Sequence, residues 1–143
     1  MSSLKRKLNR TNFQQLAKIR LKEAKSLLDN GFYDGAYYLS GYAIECSLKA
    51  CIAKQTSQDD FPNKDFVNKC WCHNVEDLLG LAELTHQSKD ERKQNQALEN
   101  YWNIVKGWSE ESRYSTHNKR EAQELYEAIA DKNGVLNWIK KYW

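Results

Sequence analysis

Four cysteines and three histidines are the side chains that could ligate a metal in this 143-residue chain. Cys70-Trp71-Cys72-His73 places three candidate ligands in four residues. Zinc sites built from such residues space their ligand pairs two to four apart in each half of the site. Cys70 and Cys72 have a single residue between them, and no second pair follows. Cys46 and Cys51 are five apart, which turns them to different faces of a helix. The spacing therefore argues for free thiols and no metal site. Glu45 and Lys49 are the next candidates. They stand four apart, in the favoured order for a helical ion pair, within an otherwise apolar run. A carboxylate there is either paired or part of a ligand site. Tyr33, Tyr37, Tyr38 and Tyr42 crowd the same region. They can stack bases, or form core with their hydroxyls reaching the edge. Trp102, Trp108, Trp138 and Trp143 are read as packing or dimer contacts, and His86 stands alone in a polar stretch.

The elements that must position these groups are helices. Asp34 to Lys54 (DGAYYLSGYAIECSLKACIAK) is small, aromatic and aliphatic nearly throughout, with Glu45, Lys49 and Lys54 its only charges after Asp34. A helix apolar on most of its circumference belongs inside a protein. Gly41 in its middle costs about 1 kcal/mol against alanine, and the expected return is close approach of another helix. A first helix is predicted from about Thr11, capped by Thr11 or Asn9, to Asn30. Its stripe is Phe13, Leu16, Ala17, Leu21, Ala24, Leu27 and Leu28, and Asn30-Gly31 ends it. The short link makes the two helices antiparallel neighbours. A polar loop at 55–64 is expected to be mobile. One or two short helices follow within 65–84, with Asn74 as a cap. One helix is expected over Gln87–Lys106, then a loop over Trp108–His117. A terminal helix starts near Lys119, or a turn earlier at Ser115, behind the capping-box pattern Asn118/Glu121. Asn133-Gly134 is a candidate break. The expectation is an all-α, compact antiparallel bundle of four to five helices in one domain, residues 1–143, with residues 1–10 a frayed basic start.

Composition bounds the function. The 41% apolar content is that of a globular chain. No apolar run reaches the ~18 residues of a membrane span, and the first residues lack the apolar segment of a secretion signal. The expectation is a cytoplasmic protein with reduced thiols and no membrane association. The net charge of +3 is uneven: residues 1–30 carry +6, and the other 113 sum to −3. Such a basic third can touch nucleic acid or an acidic partner. A pI near 8.6 is below the range of a dedicated binder, which favours a solvated helix face.

The stretch LKEAKSLLDNGFYDGAYYLSGYAIECSLKACI resembles the opening helical hairpin of HEPN domains (higher eukaryotes and prokaryotes nucleotide-binding). HNVEDLLGLA, from His73 to Ala82, resembles the short His-containing third segment of that family. WSEESRY, Trp108 to Tyr114, resembles its Trp and Arg-Tyr segment. The resemblance covers about residues 15–142. It implies an all-α bundle, often a homodimer, binding RNA or a nucleotide. Many members are metal-independent endoribonucleases, and some are toxins beside a nucleotidyltransferase-like antitoxin. The family's catalytic Arg and His map onto Arg113 and His117, with no cofactor. Only three residues lie between them, one fewer than usual, and Tyr114 stands where a polar residue is common. In that chemistry the imidazole moves protons and the guanidinium holds the phosphate. The structural alternative is that Arg113 ties the loop to Glu110, Glu111 or Glu45 and that His117 is a solvent-exposed residue before the helix. The candidate binding residues beside Arg113 and His117 are Glu45, Lys49, Tyr42, Tyr38, His73 and Tyr114; His73 resembles the family's third-segment His and is expected to cap or orient the adjacent helix. The other reading is a non-catalytic dimeric module that binds a partner protein or small ligand.

Overall fold

The computed structural model describes residues 8–56 and 68–143, and they are helical with no strand among them. The expected mobile loop falls largely, and the frayed basic start mostly, outside the described residues. Helix α1 spans Arg10–Asp29, and Asn9 caps it by accepting the Asn12 backbone N–H at 2.9 Å. Ala17, Ala24 and Leu28 are its buried residues, while Phe13 and Leu16 are only half-buried. Gly31, at φ +83°, turns the chain in the left-handed region after the helix end. Helix α2, Tyr33–Gln55, then runs back along α1.

α2 is the centre of the molecule. Twelve of its residues are buried, among them Ala43, Ile44, Leu48 and Cys51. Ser40 and Ser47 are buried as well, and each hydroxyl donates to a carbonyl of its own helix at 2.7 Å. No polar hydroxyl is thereby stranded in this helix's core face. The group that comes closest to Gly41 is the indole of Trp108, and not a neighbouring helix. A Cβ at position 41 would lie 2.2 Å from that ring.

Short helix α3, Val75–Leu81, is capped by Asn74, which accepts the Asp77 N–H at 3.0 Å. The expected single helix over Gln87–Lys106 is two. Helix α4 is Thr85–Gln94 and α5 is Gln96–Val105. Asn95 leaves helical geometry between them and caps α5 by accepting the Leu98 N–H at 3.1 Å. Asparagine at a cap is as favourable as it is poor inside a helix. The expected loop from Trp108 to His117 contains a 3-10 helix, Glu110–Tyr114. Ser109 and Ser112 cap that helix reciprocally. The terminal segment starts at Lys119, the later of the two predicted starts, as α6, Lys119–Ala130. It breaks before Gly134, and α7 follows as Val135–Ile139. Leu125, Ile129, Val135, Trp138 and Ile139 close the core against α2 and α5. Among the described residues no helix is long and apolar enough to cross a membrane.

Candidate functional site

Glu45 sits 2% exposed on α2, where an unpaired carboxylate would be costly. Both of its oxygens are engaged. Lys49 Nζ lies 3.3 Å from Oε2, and His73 Nδ1 lies 2.9 Å from Oε1. The chain of partners continues outward: His73 Nε2 is 3.3 Å from Glu110 Oε2, and Glu110 pairs with Arg113. Lys49, Glu45, His73, Glu110 and Arg113 thus form one line of alternating partners, from the buried face of α2 to the exposed 3-10 helix. The ion pair expected from the Glu45/Lys49 spacing is present. His73 bridges two carboxylates, and the cap of α3 is its neighbour Asn74.

Arg113 ends this line beside two aromatic rings. Its guanidinium carbon is 5.6 Å from the centre of the Tyr38 ring and 5.5 Å from that of Tyr114, within cation–π range. Tyr114 is 82% exposed. Tyr38 also faces Tyr42 and Trp108, at 6.0 and 5.9 Å between ring centres. Burial raises the Tyr38 hydroxyl pKa, and the Arg113 charge opposes the rise. Tyr42 is pushed up to about 12, first by burial and then by the neighbouring Cys46 and Glu45. These hydroxyls therefore stay neutral through the physiological range.

His117 is held apart from that line. Its ring stacks on Tyr37 at 3.6 Å with 10° between the planes. Nδ1 lies 3.0 Å from Glu121 Oε2, and the backbone N–H donates to Asp34 Oδ1 at 2.5 Å. The side chain is 11% exposed, and Nε2 is buried without a hydrogen-bond partner. Among the described residues Arg113 and His117 share no hydrogen bond or ion pair. The capping box read at Asn118/Glu121 is half formed. Asn118 accepts the Glu121 N–H at 2.8 Å, while the Glu121 carboxylate turns to His117. Asp34 and Glu121 were not among the residues expected at the site. The four-residue separation that brings His117, just before the Asn118 cap, to Glu121 in the first turn of α6 is the signal that could have found the second; nothing local marks Asp34.

The chain matches the HEPN domain family over residues 13–142. It belongs to the HEPN family. That family comprises nucleotide-binding and RNase-type domains, and the all-α architecture expected from the resemblance is the one observed. No curated protein and no solved structure matches the chain. In this HEPN domain a cavity of about 400 Å³ opens between α1, α2 and the Cys70–His73 segment. Its walls include Phe13, Leu16, Tyr42, Ile52 and Trp71, and Glu45, Lys49 and His73 supply its polar groups. The half-exposure of Phe13 and Leu16 is explained by this cavity. Among the described residues no three His, Cys, Asp or Glu side chains converge as a metal site would require. Cys46 and Cys51 are buried thiols pushed up to about 12 and about 11, chiefly by burial.

Proposed function

We propose that this HEPN protein binds a nucleotide or single-stranded RNA in the cytoplasm through the Arg113 segment. One observation carries the reading: an exposed guanidinium flanked by the Tyr38 and Tyr114 rings. Arginine offers forked donors to a phosphate. An exposed tyrosine offers a face to a base, worth about 1–3 kcal/mol per stacked base. Glu110 holds the guanidinium until an anion competes for it. The test is binding of labelled mononucleotide and short RNA to wild type, Arg113→Ala and Tyr114→Ala. Both substitutions lie at exposed positions and leave the fold intact, so binding falls about tenfold or more in each. Unchanged binding in both variants removes the reading and favours the non-catalytic interaction module.

A cleavage reading is favoured by a second observation, the Glu121 carboxylate on His117 Nδ1. With Nδ1–H donated to Glu121, Nε2 carries the lone pair that can take the 2′-hydroxyl proton. Nε2 is buried, so this reading requires the Tyr37–His117 stack to open or a second copy to complete the site. It includes a homodimer and, in its toxin version, a nucleotidyltransferase-like antitoxin. Incubating a mixed RNA pool with protein in EDTA, beside Arg113→Ala and His117→Ala, decides it. Cleavage by wild type alone supports catalysis. No cleavage by folded dimer leaves binding as the function.

A further inference from the structure

A second surface carries charge that the Arg113 segment does not use. Lys18, Lys22 and Lys25 project from α1 at positions i, i+4 and i+7, so they line one face of the helix. Lys140, just past α7, faces them across a groove of about 320 Å³ floored by Leu21, Leu136 and Tyr126. Lys25 is paired with Asp29 at 2.9 Å. Among the described residues Lys18, Lys22 and Lys140 have no carboxylate partner. Most of the molecule's arginines are neutralised locally: Arg20 by Glu23, Arg92 by Glu99, Arg113 by Glu110 and Arg120 by Glu124. Lys18 Nζ and Lys140 Nζ each lie 5.7 Å from the centre of the Trp143 ring. Three ammonium groups without an ion-pair partner, from two elements, thus line one groove, a feature of tertiary placement. It is more than a solvated face of α1, since Lys140 comes from the far end of the chain.

We propose that a single RNA strand lies in this groove, with its phosphates on Lys18, Lys22 and Lys140. Charge complementarity selects a polyanion. The apolar floor with Tyr126 favours a strand with unpaired bases, because a groove that tracks the backbone beside an aromatic ring is how single strands are held. Lys25 Nζ lies 5.8 Å from the Tyr126 ring centre, at the groove's edge. The inference rests on the nucleic-acid reading above and adds a surface that shares no residue with the Arg113 segment.

The test is fluorescence anisotropy of a labelled uridine-rich RNA oligomer and of labelled AMP, over a salt series. The full chain is compared with the triple variant Lys18→Gln/Lys22→Gln/Lys140→Gln and with Arg113→Ala, their folds checked by circular dichroism. Neutralising one phosphate-binding lysine lowers the single-strand salt slope by about 0.7, so the triple variant is shallower by about 2. Its RNA affinity falls by about tenfold or more at low salt, while AMP binding is unchanged. RNA binding with wild-type affinity and slope in the triple variant overturns the inference and leaves the Arg113 reading standing. Duplex RNA or heparin binding as tightly as the single strand also overturns it. Weaker RNA binding confined to the triple variant, with Arg113→Ala at wild-type affinity for both probes, keeps the groove and removes the Arg113 reading.

Discussion

At the scale of single residues, two positions decide most. Gly41 leaves the space that the Trp108 ring occupies, and Trp108 is 1% exposed. Gly41→Ala puts a methyl group into that ring. The helix preference of alanine, about 1 kcal/mol, is outweighed by overpacking against a buried indole. The expected net loss is about 1–2 kcal/mol in urea unfolding. Glu45 is the other position. Lys49→Met leaves a buried carboxylate with only His73 to face it, and the expected loss is about 3 kcal/mol. Both are read from denaturation midpoints at pH 7. A gain of stability in Lys49→Met would mean that the apolar cavity wall tolerates methionine better than it needs the pair.

At the scale of elements, caps place the candidate groups. Asn118 starts α6 one residue after His117, so the position of the imidazole depends on where that helix begins. Asn118→Ala is expected to cost about 1 kcal/mol. It also loosens the His117–Tyr37 stack, visible as a shift of the His117 ring resonances in proton NMR. At its other end α6 stops at Ala130 with Asp131 as C-cap, and Gly134 of the expected Asn133-Gly134 break is the N-cap of α7. The break at Asn95 was the harder one to read. Polar residues run through α4 without a glycine or proline, and asparagine as a cap looks the same in sequence as asparagine on a solvated helix face. The helical hairpin was legible because α2 is apolar nearly all round and the turn carries Asn30-Gly31. The pairing of Glu45 with Lys49 was legible because helix geometry sets it locally. The engagement of the same carboxylate by His73 was not, since it joins residues 28 apart.

At the scale of the whole molecule, buried acids set the response to alkali. Cys46 and Cys51 have thiols raised from their ordinary value near 9 to about 12 and about 11, and Tyr42 rises from 10 to about 12. Burial is the leading cause for each. The folded pKa exceeds the unfolded one, so the unfolded chain releases protons first as pH rises. Their contribution to stability is then fully present below pH ~9 and is lost progressively towards pH ~12. Thermal melting is expected to be level with respect to these groups up to pH ~9 and to fall steadily above it. Cys46→Ala is expected to reduce that fall, and an equal fall in the variant would assign the effect to other groups. The same burial keeps both thiols unreactive towards a thiol reagent in the native state near neutrality.

Local physics determined the all-α class, the central hairpin, the caps at Asn74 and Asn118 and the internal pair of α2, each within a turn or two of helix. The family resemblance added Arg113 and His117 as the residues to watch. Tertiary structure decided what those residues touch. It brought Tyr38 to Arg113, turned His117 inward onto Tyr37, filled the notch at Gly41 with an indole and brought Lys140 opposite α1. Most of these meetings join residues distant in the chain. Their partners are selected by which apolar faces bury together, a condition met only when every helix is in place.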